Sequence, residues 1–404
     1  MYTEETPATD ANEEAMNRVW SQECADDPPA VYQMLHETCP VVRHDGMFGG
    51  HDVFITKYED VLWALKHPEV FSSKDVVKVG GDVPLLPLSV DPPDHAKYRR
   101  LLDPQFSPKR MAELEPEARK LVNEIIDGFV ATGRCDFHED FATPLPSTIF
   151  LALMGLPHED LPKFLEWRDD TIRPEATSSS QEEAEAKRMA AGKAIENYFE
   201  EAIEEKRRNP DDRLLSTIVS GEVDGRELTH DELIGITHLL LLGGLDTVTA
   251  TLDCMVVYLA RNEAARKKVI VDGEMNNAVV EELLRHQTPV MMVPRIVAQD
   301  FEIGGVEVKA GDGATLMIGA ANCDHAEFTD AGDVSFDREA NRHLAFGGGP
   351  HRCLGSHLAR LELRVAIEEF HRRIPEYTLV HDDIHFSPGI RQADRVMLEV
   401  PVQS

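Results

Sequence analysis

Ten consecutive residues, Phe346-Gly-Gly-Gly-Pro-His-Arg-Cys-Leu-Gly355, decide the fold of this chain. They place Cys353 in a glycine-rich, hairpin-like loop, directly before a strongly helical stretch that opens at Leu354. A thiolate at a helix N-terminus is stabilised by the helix dipole and by free backbone N–H groups. We therefore expect the glycines to let backbone amides approach the sulfur, and Phe346 to pack against a large flat ligand. A buried structural cysteine in a glycine-rich turn is the alternative.

The loop fits the pattern F-x-x-G-x-H-x-C-x-G at every fixed position, and it resembles the haem-binding signature of the cytochrome P-450 family. The resemblance implies that Cys353 is the axial thiolate ligand of the iron in haem b (iron protoporphyrin IX). Phe346, His351 and Gly355 would then contact the same cofactor. The implied fold is mainly α with a smaller β-rich part, with haem between a long central helix and the Cys-loop helix.

Length and composition indicate one large domain or two closely packed lobes. The chain has 404 residues, of which 42% are hydrophobic, and no Pro/Gly/Ser-rich linker divides it. We predict a flexible acidic leader over residues 1–30 and a single domain over residues 31–404. Helical patterns dominate from about Pro93 to Arg261, and strand character lies on both sides of them.

Charge and cysteine usage limit the compartment and the partners. The net charge of −32 argues against nucleic acid or an anionic membrane as a partner. Six cysteines without paired spacing suggest reduced thiols in the cytoplasm. The longest uncharged apolar stretch, Leu233–Leu245, has 13 residues and is too short to span a bilayer. We expect no membrane anchor, which resembles the prokaryotic branch of the family.

A second motif lies in the long helix that we predict after Thr229. Thr229-His-Asp-Glu232 fits a capping box, and the helix should run to about Arg261. In its middle lies Gly243-Gly-Leu-Asp-Thr247. Two glycines cost about 1 kcal/mol each in a helix interior, so the local structure must need the open backbone.

This stretch resembles the family's central-helix motif, in which the helix loosens beside the haem and makes room for dioxygen. The resemblance implies that Thr247 hydrogen-bonds the bound oxygen and that Asp246 relays protons to it. The alternative is a helix kink in which the threonine hydroxyl bonds back to the preceding turn.

Glu282-Leu-Leu-Arg285 places two opposite charges on one helix face, a weak pattern by itself. Its apolar setting resembles the family's E-x-x-R pair, which an arginine upstream of the Cys loop completes. Arg338 matches that arginine. We interpret Glu282, Arg285 and Arg338 as a structural lock without a part in catalysis.

The segment Asp91-Pro-Pro-Asp-His-Ala-Lys-Tyr-Arg99 predicts a helix start, with His95 and Arg99 on one face. Haem propionates need buried donors, and arginine pairs with carboxylates in a bidentate way. By resemblance, His95 and Arg99 bind the propionates together with Arg295 and His351. For each residue singly, an ordinary surface cation is the alternative.

The substrate pocket can be predicted only by position. Its predicted wall residues are almost all aliphatic or Met, which favours an apolar substrate. A terpenoid, fatty acid, steroid or aromatic compound is possible, and Gly-Gly-Leu-Asp-Thr-Val slightly favours terpenes by resemblance. The predicted wall comprises Val83, Leu85, Leu86, Leu88, Leu239, Leu242, Gly243, Val290, Met291, Met292, Val293 and Ile390.

The resemblance implies a monomeric monooxygenase that uses O₂ and electrons from a ferredoxin with its reductase. Since ferredoxins are acidic, a basic docking face should surround the Cys loop. Its candidate cations are Lys97, Arg100, Lys109, Arg110, Arg342, Arg352 and Arg360. Two alternatives stay open: an H₂O₂-driven peroxygenase of the same fold, and a non-enzymatic haem protein that binds gas.

Overall fold

The structure is a computed structural model that describes residues 8–45, 51–76 and 83–402. Helices form most of it. In chain order they are α1 Ala8–Val19, α2 Gln22–Asp26, α3 Pro28–Thr38, α4 Tyr58–Lys66, α5 Asp94–Leu102, α6 Pro108–Ala112, α7 Glu115–Phe129, α8 Pro144–Met154, α9 Leu161–Ile172, α10 Gln181–Arg208, α11 Leu214–Val219, α12 His230–Leu245, α13 Thr247–Arg261, α14 Glu263–Arg266, α15 Ala278–Gln287, α16 Ile318–Asn322 and α17 Ser356–Arg373. A π-helical turn spans His138–Ala142, and a 3₁₀ turn spans Pro174–Thr177.

The strands are short and lie mostly near the two ends of the chain. They are β1 Val41–Asp45, β2 His51–Ile55, β3 Phe71–Ser72, β4 Arg134–Asp136, β5 Glu222–Val223, β6 Arg226–Glu227, β7 Ile270–Val271, β8 Glu274–Met275, β9 Val293–Val297, β10 Phe301–Ile303, β11 Val306–Val308, β12 Gly313–Leu316, β13 Thr378–Leu379 and β14 Met397–Glu399. The largest sheet has the order β1-β2-β12-β9-β3, and a smaller one has the order β13-β14-β4. The predicted mainly α fold with a smaller β-rich part is confirmed.

Helices α7 to α13 and α17 enclose the main hydrophobic core, while α4 and the five-stranded sheet enclose a second one. Strand β12 pairs parallel with β2 and antiparallel with β9. This arrangement brings the segment after α15 beside the N-terminal strands. The helical part therefore carries the central helix, and the sheet part flanks it.

The central helix crosses the main core in two segments. Its N-terminal capping box is present: the Thr229 hydroxyl accepts from the Glu232 N–H, and the Glu232 carboxylate accepts from the Thr229 N–H. The run ends at Arg261 as predicted, but α12 and α13 are separated at Asp246, where φ is −109° and ψ is −40°. By length and composition alone His230–Arg261 passes as a membrane span, but 72% of its most apolar window is buried, as expected for a core helix.

The structure corrects the predicted flexible leader. Residues 1–7 lie outside the described part, but residues 8–30 form α1, α2 and the start of α3. Ala15, Met16 and Val19 are buried, and they pack in a third core cluster that contains Phe54. Their spacing places them on one face of α1. The acidic residues between them conceal this apolar stripe in the composition.

A late turn of the chain anchors this N-terminal region. Arg391 is buried and donates to the carbonyl oxygens of Ala25 (2.7 Å), Asp26 (3.3 Å) and Gln287 (2.6 Å). The Asp26 carboxylate in turn accepts from the Phe386 N–H at 2.9 Å. The first described helices are therefore fixed to the turn before β14.

Glu282, in the middle of α15, is the centre of a buried ionic network. Its carboxylate pairs with Arg285 at 2.8 Å and with Arg338 at 3.1 Å, and it accepts from the Asn341 amide and the Ser335 N–H. Arg285 also donates to the carbonyl oxygens of residues 322, 331 and 333. The network fixes the segment that leads to the Cys loop.

We expect Glu282→Gln to lower the free energy of unfolding by about 3–5 kcal/mol, because it leaves buried arginine charges without their carboxylate. The matched control is Glu205→Gln, since Glu205 and Arg208 have the same spacing but form an exposed pair at 3.1 Å. An exposed pair contributes about 0–1 kcal/mol. Urea unfolding followed by circular dichroism measures both, and equal losses would contradict this role of Glu282.

A second ionic contact joins α5 to the start of α12. Glu232 receives two hydrogen bonds from Arg226, at 2.7 and 2.8 Å, and one from the Tyr98 hydroxyl at 2.8 Å. The bonds from Arg226, together with the Thr229 N–H and Tyr98, lower the pKa of Glu232 to about 2.

Because this pKa is lowered on folding, the stabilisation is present above the ordinary glutamate pKa and is lost as pH falls towards 2. We expect Glu232→Gln to destabilise the protein by about 1–2 kcal/mol at pH 7, since Arg226 is half exposed and solvent weakens the pair. The difference from wild type should shrink below pH 4.5 in urea titrations. The exposed Glu227→Gln serves as control, and a difference that does not change with pH would exclude the ionic explanation.

Candidate active site

The Cys loop is held as a closed turn against α4. The Cys353 N–H donates to the Phe346 carbonyl at 2.9 Å. Gly347 and Gly349 have φ values of 67° and 63°, a region that favours glycine. A Cβ on Gly349 would lie 2.1 Å from the Leu65 carbonyl oxygen. Gly347 and Gly349 thus serve the turn and its contact with α4.

One backbone amide does approach the sulfur. The Gly355 N–H hydrogen-bonds Cys353, and this bond lowers the pKa of the thiol, as do Arg99 and Arg352. Desolvation by the surrounding protein is the largest influence and raises the pKa of Cys353 overall, although part of the residue's surface is exposed. Helix α17 begins at Ser356, two residues after the predicted opening, with Gly355 as its N-cap.

Phe346 has a cation on one face. The Arg360 guanidinium lies 4.4 Å from the ring centroid and pairs with Glu281 at 2.7 Å. His343 Nε2 lies 3.0 Å from the same carboxylate. His343 is therefore a hydrogen-bonding partner of Glu281.

The predicted propionate ligands form one cluster. The His95 and His351 rings are 4.2 Å apart, and both histidines and Arg295 interact electrostatically with Asp91. His351 Nε2 is buried without a hydrogen-bond partner and lies 3.8 Å from Asp91 Oδ1. Burial lowers the pKa of His95 to about 4 and that of Arg295 to about 10.

The donors in this cluster fit an anionic cofactor. Arg295 is 7% exposed, and among the described residues it donates only to the neighbouring Pro294 carbonyl. Asp91 accepts from Ser72 Oγ and the Ser73 N–H, so its carboxylate is already engaged. A buried arginine and an unpartnered imidazole are the groups that two haem propionates require.

Arg99 is the propionate candidate with the most partners. Its Nη1 donates to the Arg352 carbonyl at 2.7 Å, and its Nε pairs with Asp103 at 2.6 Å. The side chain therefore links α5 to the Cys loop. Asp91 was not predicted as part of this site, and its place directly before two prolines is the only signal in the sequence.

The glycine pair of the central helix has two separate roles. A Cβ on Gly244 would lie 2.9 Å from the Phe150 ring, so this glycine lets α8 approach closely. Gly243 has no such neighbour and is exposed. The Thr247 hydroxyl donates to the Gly243 carbonyl at 3.1 Å, which is the back-bonding of the alternative interpretation. The kink and the open helix face are therefore both present.

Asp246 is 1% exposed, and neither carboxylate oxygen has a hydrogen-bond partner. Two arginines lie near Oδ1: Arg173 Nη2 at 3.5 Å and Arg168 Nε at 4.0 Å. Arg173 also donates to Gln392. None of these three residues was predicted, because Arg168 and Arg173 approach Asp246 from α9 and its C-cap, and Gln392 contacts Arg173 from the turn before β14, with no local spacing in the sequence that relates them.

The predicted pocket residues divide into those that retain exposed surface and those that are buried. Leu239, Leu242 and Gly243 lie on α12 and retain exposed surface, and Val290 forms a β-bridge with Ile390. Met291 is a correction. It has no exposed surface and packs in the core cluster of α1 to α3, and the neighbouring Met292 packs against the same cluster with part of its surface exposed. The remaining wall residues are Val83, Leu85, Leu86, Leu88, Met292 and Val293, of which Leu85 and Leu86 are buried.

Several predicted docking cations already have acidic partners. Lys97 pairs with Asp94 and Asp224, and Arg342 pairs with Glu327. Arg360 pairs with Glu281, as described above. Among the described residues, Lys109, Arg110 and Arg352 form no ion pair with a carboxylate, and Arg110 donates to the backbone carbonyl of Asp212 at 3.2 Å. The basic character around the Cys loop is thus weaker than the residue count suggests.

The sequence is similar to that of known proteins over most of its length. The sequence model of the family described as Cytochrome P450 matches residues 14–373. The steroid C26-monooxygenase of Mycobacterium tuberculosis (strain ATCC 25618 / H37Rv) is 34% identical over 357 residues, which cover 88% of each chain. The mycinamicin IV hydroxylase/epoxidase of Micromonospora griseorubida is 32% identical and covers 92% of this chain and 94% of its own.

The fold is similar to that of solved structures as well. The crystal structure of CYP109E1 from Bacillus megaterium in complex with testosterone superposes with a TM-score of 0.85 and 28% identity. The match covers 94% of this chain and 99% of the other. Both the sequence matches and this structural match therefore extend over nearly the whole chain.

Proposed function

The chain belongs to the cytochrome P450 family and is a monooxygenase, and from this premise we propose a ferredoxin-dependent enzyme that hydroxylates an apolar small molecule. The observation that carries the proposal is Cys353. It is the exposed thiol among six free cysteines, of which four are buried and Cys39 is half-buried. It also stands directly before α17, in the loop that matches the family signature.

We propose that Cys353 ligates the iron of haem b, with Phe346 and Gly355 beside it. When bound, haem supplies the redox chemistry that places one atom of O₂ in a C–H bond. The Gly355 N–H stabilises negative charge on the sulfur. His95, Arg99, Arg295 and His351 would hold the two propionates, and the unpartnered His351 Nε2 supports this assignment.

Asp246 and Thr247 are the proposed proton-handling groups. Asp246 is buried, and neither carboxylate oxygen accepts a hydrogen bond within the described residues. Arg173 and Arg168 hold the carboxylate at the gap between α12 and α13. The Thr247 hydroxyl would orient the oxygen substrate from the exposed face of the helix.

The proposed substrate is a rigid apolar molecule of steroid size. The aliphatic wall on α12 supports an apolar substrate, and two proteins similar to this chain are named for steroids or were solved with testosterone. The slight preference for terpenes that the sequence suggested stays a prediction. Arg352 and Lys109 are the proposed contacts for an acidic ferredoxin. The free thiols support a cytoplasmic location.

The function is tested by spectroscopy and turnover. We expect the reduced protein under CO to show the red-shifted Soret band of thiolate-ligated haem. Cys353→Ser should abolish this band, while Cys39→Ser should retain it, because Cys39 lies between α3 and β1. A Soret band without thiolate character in the wild type would contradict the proposal.

The electron source separates the remaining alternatives. We expect NADH with ferredoxin and its reductase to support product formation from testosterone. Turnover with H₂O₂ alone would indicate the peroxygenase. CO binding without turnover under either condition would indicate a gas-binding protein.

For Asp246→Asn we expect NADH-supported product formation to fall about 100-fold, because the amide cannot deliver a proton. NADH oxidation should continue, so the ratio of product to NADH consumed falls. The control is Asp231→Asn, an exposed acid in the first turn of α12. Unchanged coupling in Asp246→Asn would remove this residue from the proposed mechanism.

A further inference from the structure

One contact joins the loop of residues 83–90 to the central helix at a single glycine. The Leu86 N–H donates to the Gly235 carbonyl at 3.3 Å. A Cβ on Gly235 would lie 2.2 Å from the Pro84 carbonyl oxygen and 3.5 Å from the Leu86 nitrogen. The loop backbone therefore lies directly on the helix, in the space that any side chain at this position would occupy.

Gly235 belongs to the same helix face as two predicted pocket residues. Leu239 and Leu242 follow it at i+4 and i+7, so the three residues form one stripe along α12. Leu239 and Leu242 retain exposed surface, whereas Gly235 is covered by the loop. The loop thus closes the stripe at its N-terminal end.

The loop is well fixed at this point. Leu85 and Leu86 are 2% and 6% exposed, and the Ser89 N–H donates to the Leu85 carbonyl at 2.8 Å. The next segment contains Asp91, which binds Ser72 and Ser73, and then α5. The segment from Leu85 to Asp91 is therefore held at several points, and we expect it to shift away from α12 as a unit.

We infer that Gly235 is a specificity-determining position that sets the distance between the 83–90 loop and the central helix, and thereby the size of ligand that the pocket accepts. The inference rests on the proposed function, since it concerns the same pocket. It adds a positioning residue that contacts the loop backbone. The Pro84 carbonyl oxygen is the atom that a side chain at residue 235 would contact first.

A larger side chain at position 235 should displace the loop without weakening the helix. Alanine is a better helix former than glycine, so Gly235→Ala favours α12 itself. The atom that must move is a backbone oxygen and not the flexible end of a side chain. The displacement therefore extends to Leu85 and Leu86, and the pocket becomes larger at this end.

The test compares two azoles that bind haem iron through the same nitrogen but differ in bulk. Imidazole and clotrimazole are titrated into the haem-loaded wild type and Gly235→Ala, with the shift of the Soret band as readout. We expect the ratio of the two dissociation constants to move in favour of clotrimazole by about tenfold, while imidazole binding stays unchanged. Hydrogen exchange at the Leu86 amide should become faster in the variant.

The control is Gly128→Ala, an exposed glycine of α7 whose Cβ would meet no neighbour. It should leave both dissociation constants unchanged. An unchanged ratio of the two dissociation constants in Gly235→Ala would overturn the inference, including the case in which both constants change by the same factor. A wild type that gives no Soret shift with imidazole would contradict the proposed haem function itself.

If Gly235→Ala does not retain haem, the double variant Pro84→Gly/Gly235→Ala tests the same contact. The freer backbone at residue 84 lets its carbonyl move aside. Recovery of haem and of the altered ratio would support the inference. Failure of the double variant to retain haem would show that Gly235 serves the whole fold and would overturn it.

Discussion

The buried carboxylate of Glu282 is the constraint on which the approach to the Cys loop depends. This side chain on α15 forms ion pairs with Arg285 and Arg338 and accepts two further hydrogen bonds, from Ser335 and Asn341. Burying such a network is expensive unless every charge is paired, so it tolerates only one arrangement of the segment between α16 and the loop. The position of Cys353 follows from that segment and from the contact of Gly349 with α4.

The central helix shows a different kind of constraint, in which one stretch serves several neighbours. Gly235 admits the 83–90 loop, Gly244 admits Phe150, and the gap at Asp246 leaves a buried carboxylate with two arginines nearby. Each of these positions weakens the regular helix. Together they indicate that close contacts with neighbouring segments determine the residues at these positions of α12 and α13 more than helix propensity does.

Sequence patterns predicted the local features well. The capping box at Thr229 and the ionic pair of Glu282 and Arg285 each rest on residues close in sequence. Features that need distant partners were missed or misjudged. Arg168 and Arg173 reach Asp246 from another helix, and Met291 turns into a core that only the N-terminal helices complete. The acidic composition concealed α1, because the buried apolar face that the structure describes consists of Ala15, Met16 and Val19.

The anchoring of α2 by Arg391 has a consequence for how the chain is made. The partners of Asp26 and Ala25 lie about 360 residues later in the sequence, at Phe386 and Arg391. During synthesis, the N-terminal helices leave the ribosome long before these partners exist. Contacts of such sequence separation form late in folding. Helix α2 can therefore form these contacts only after the turn with Phe386 and Arg391 has been synthesised, and we expect the two regions to become ordered together.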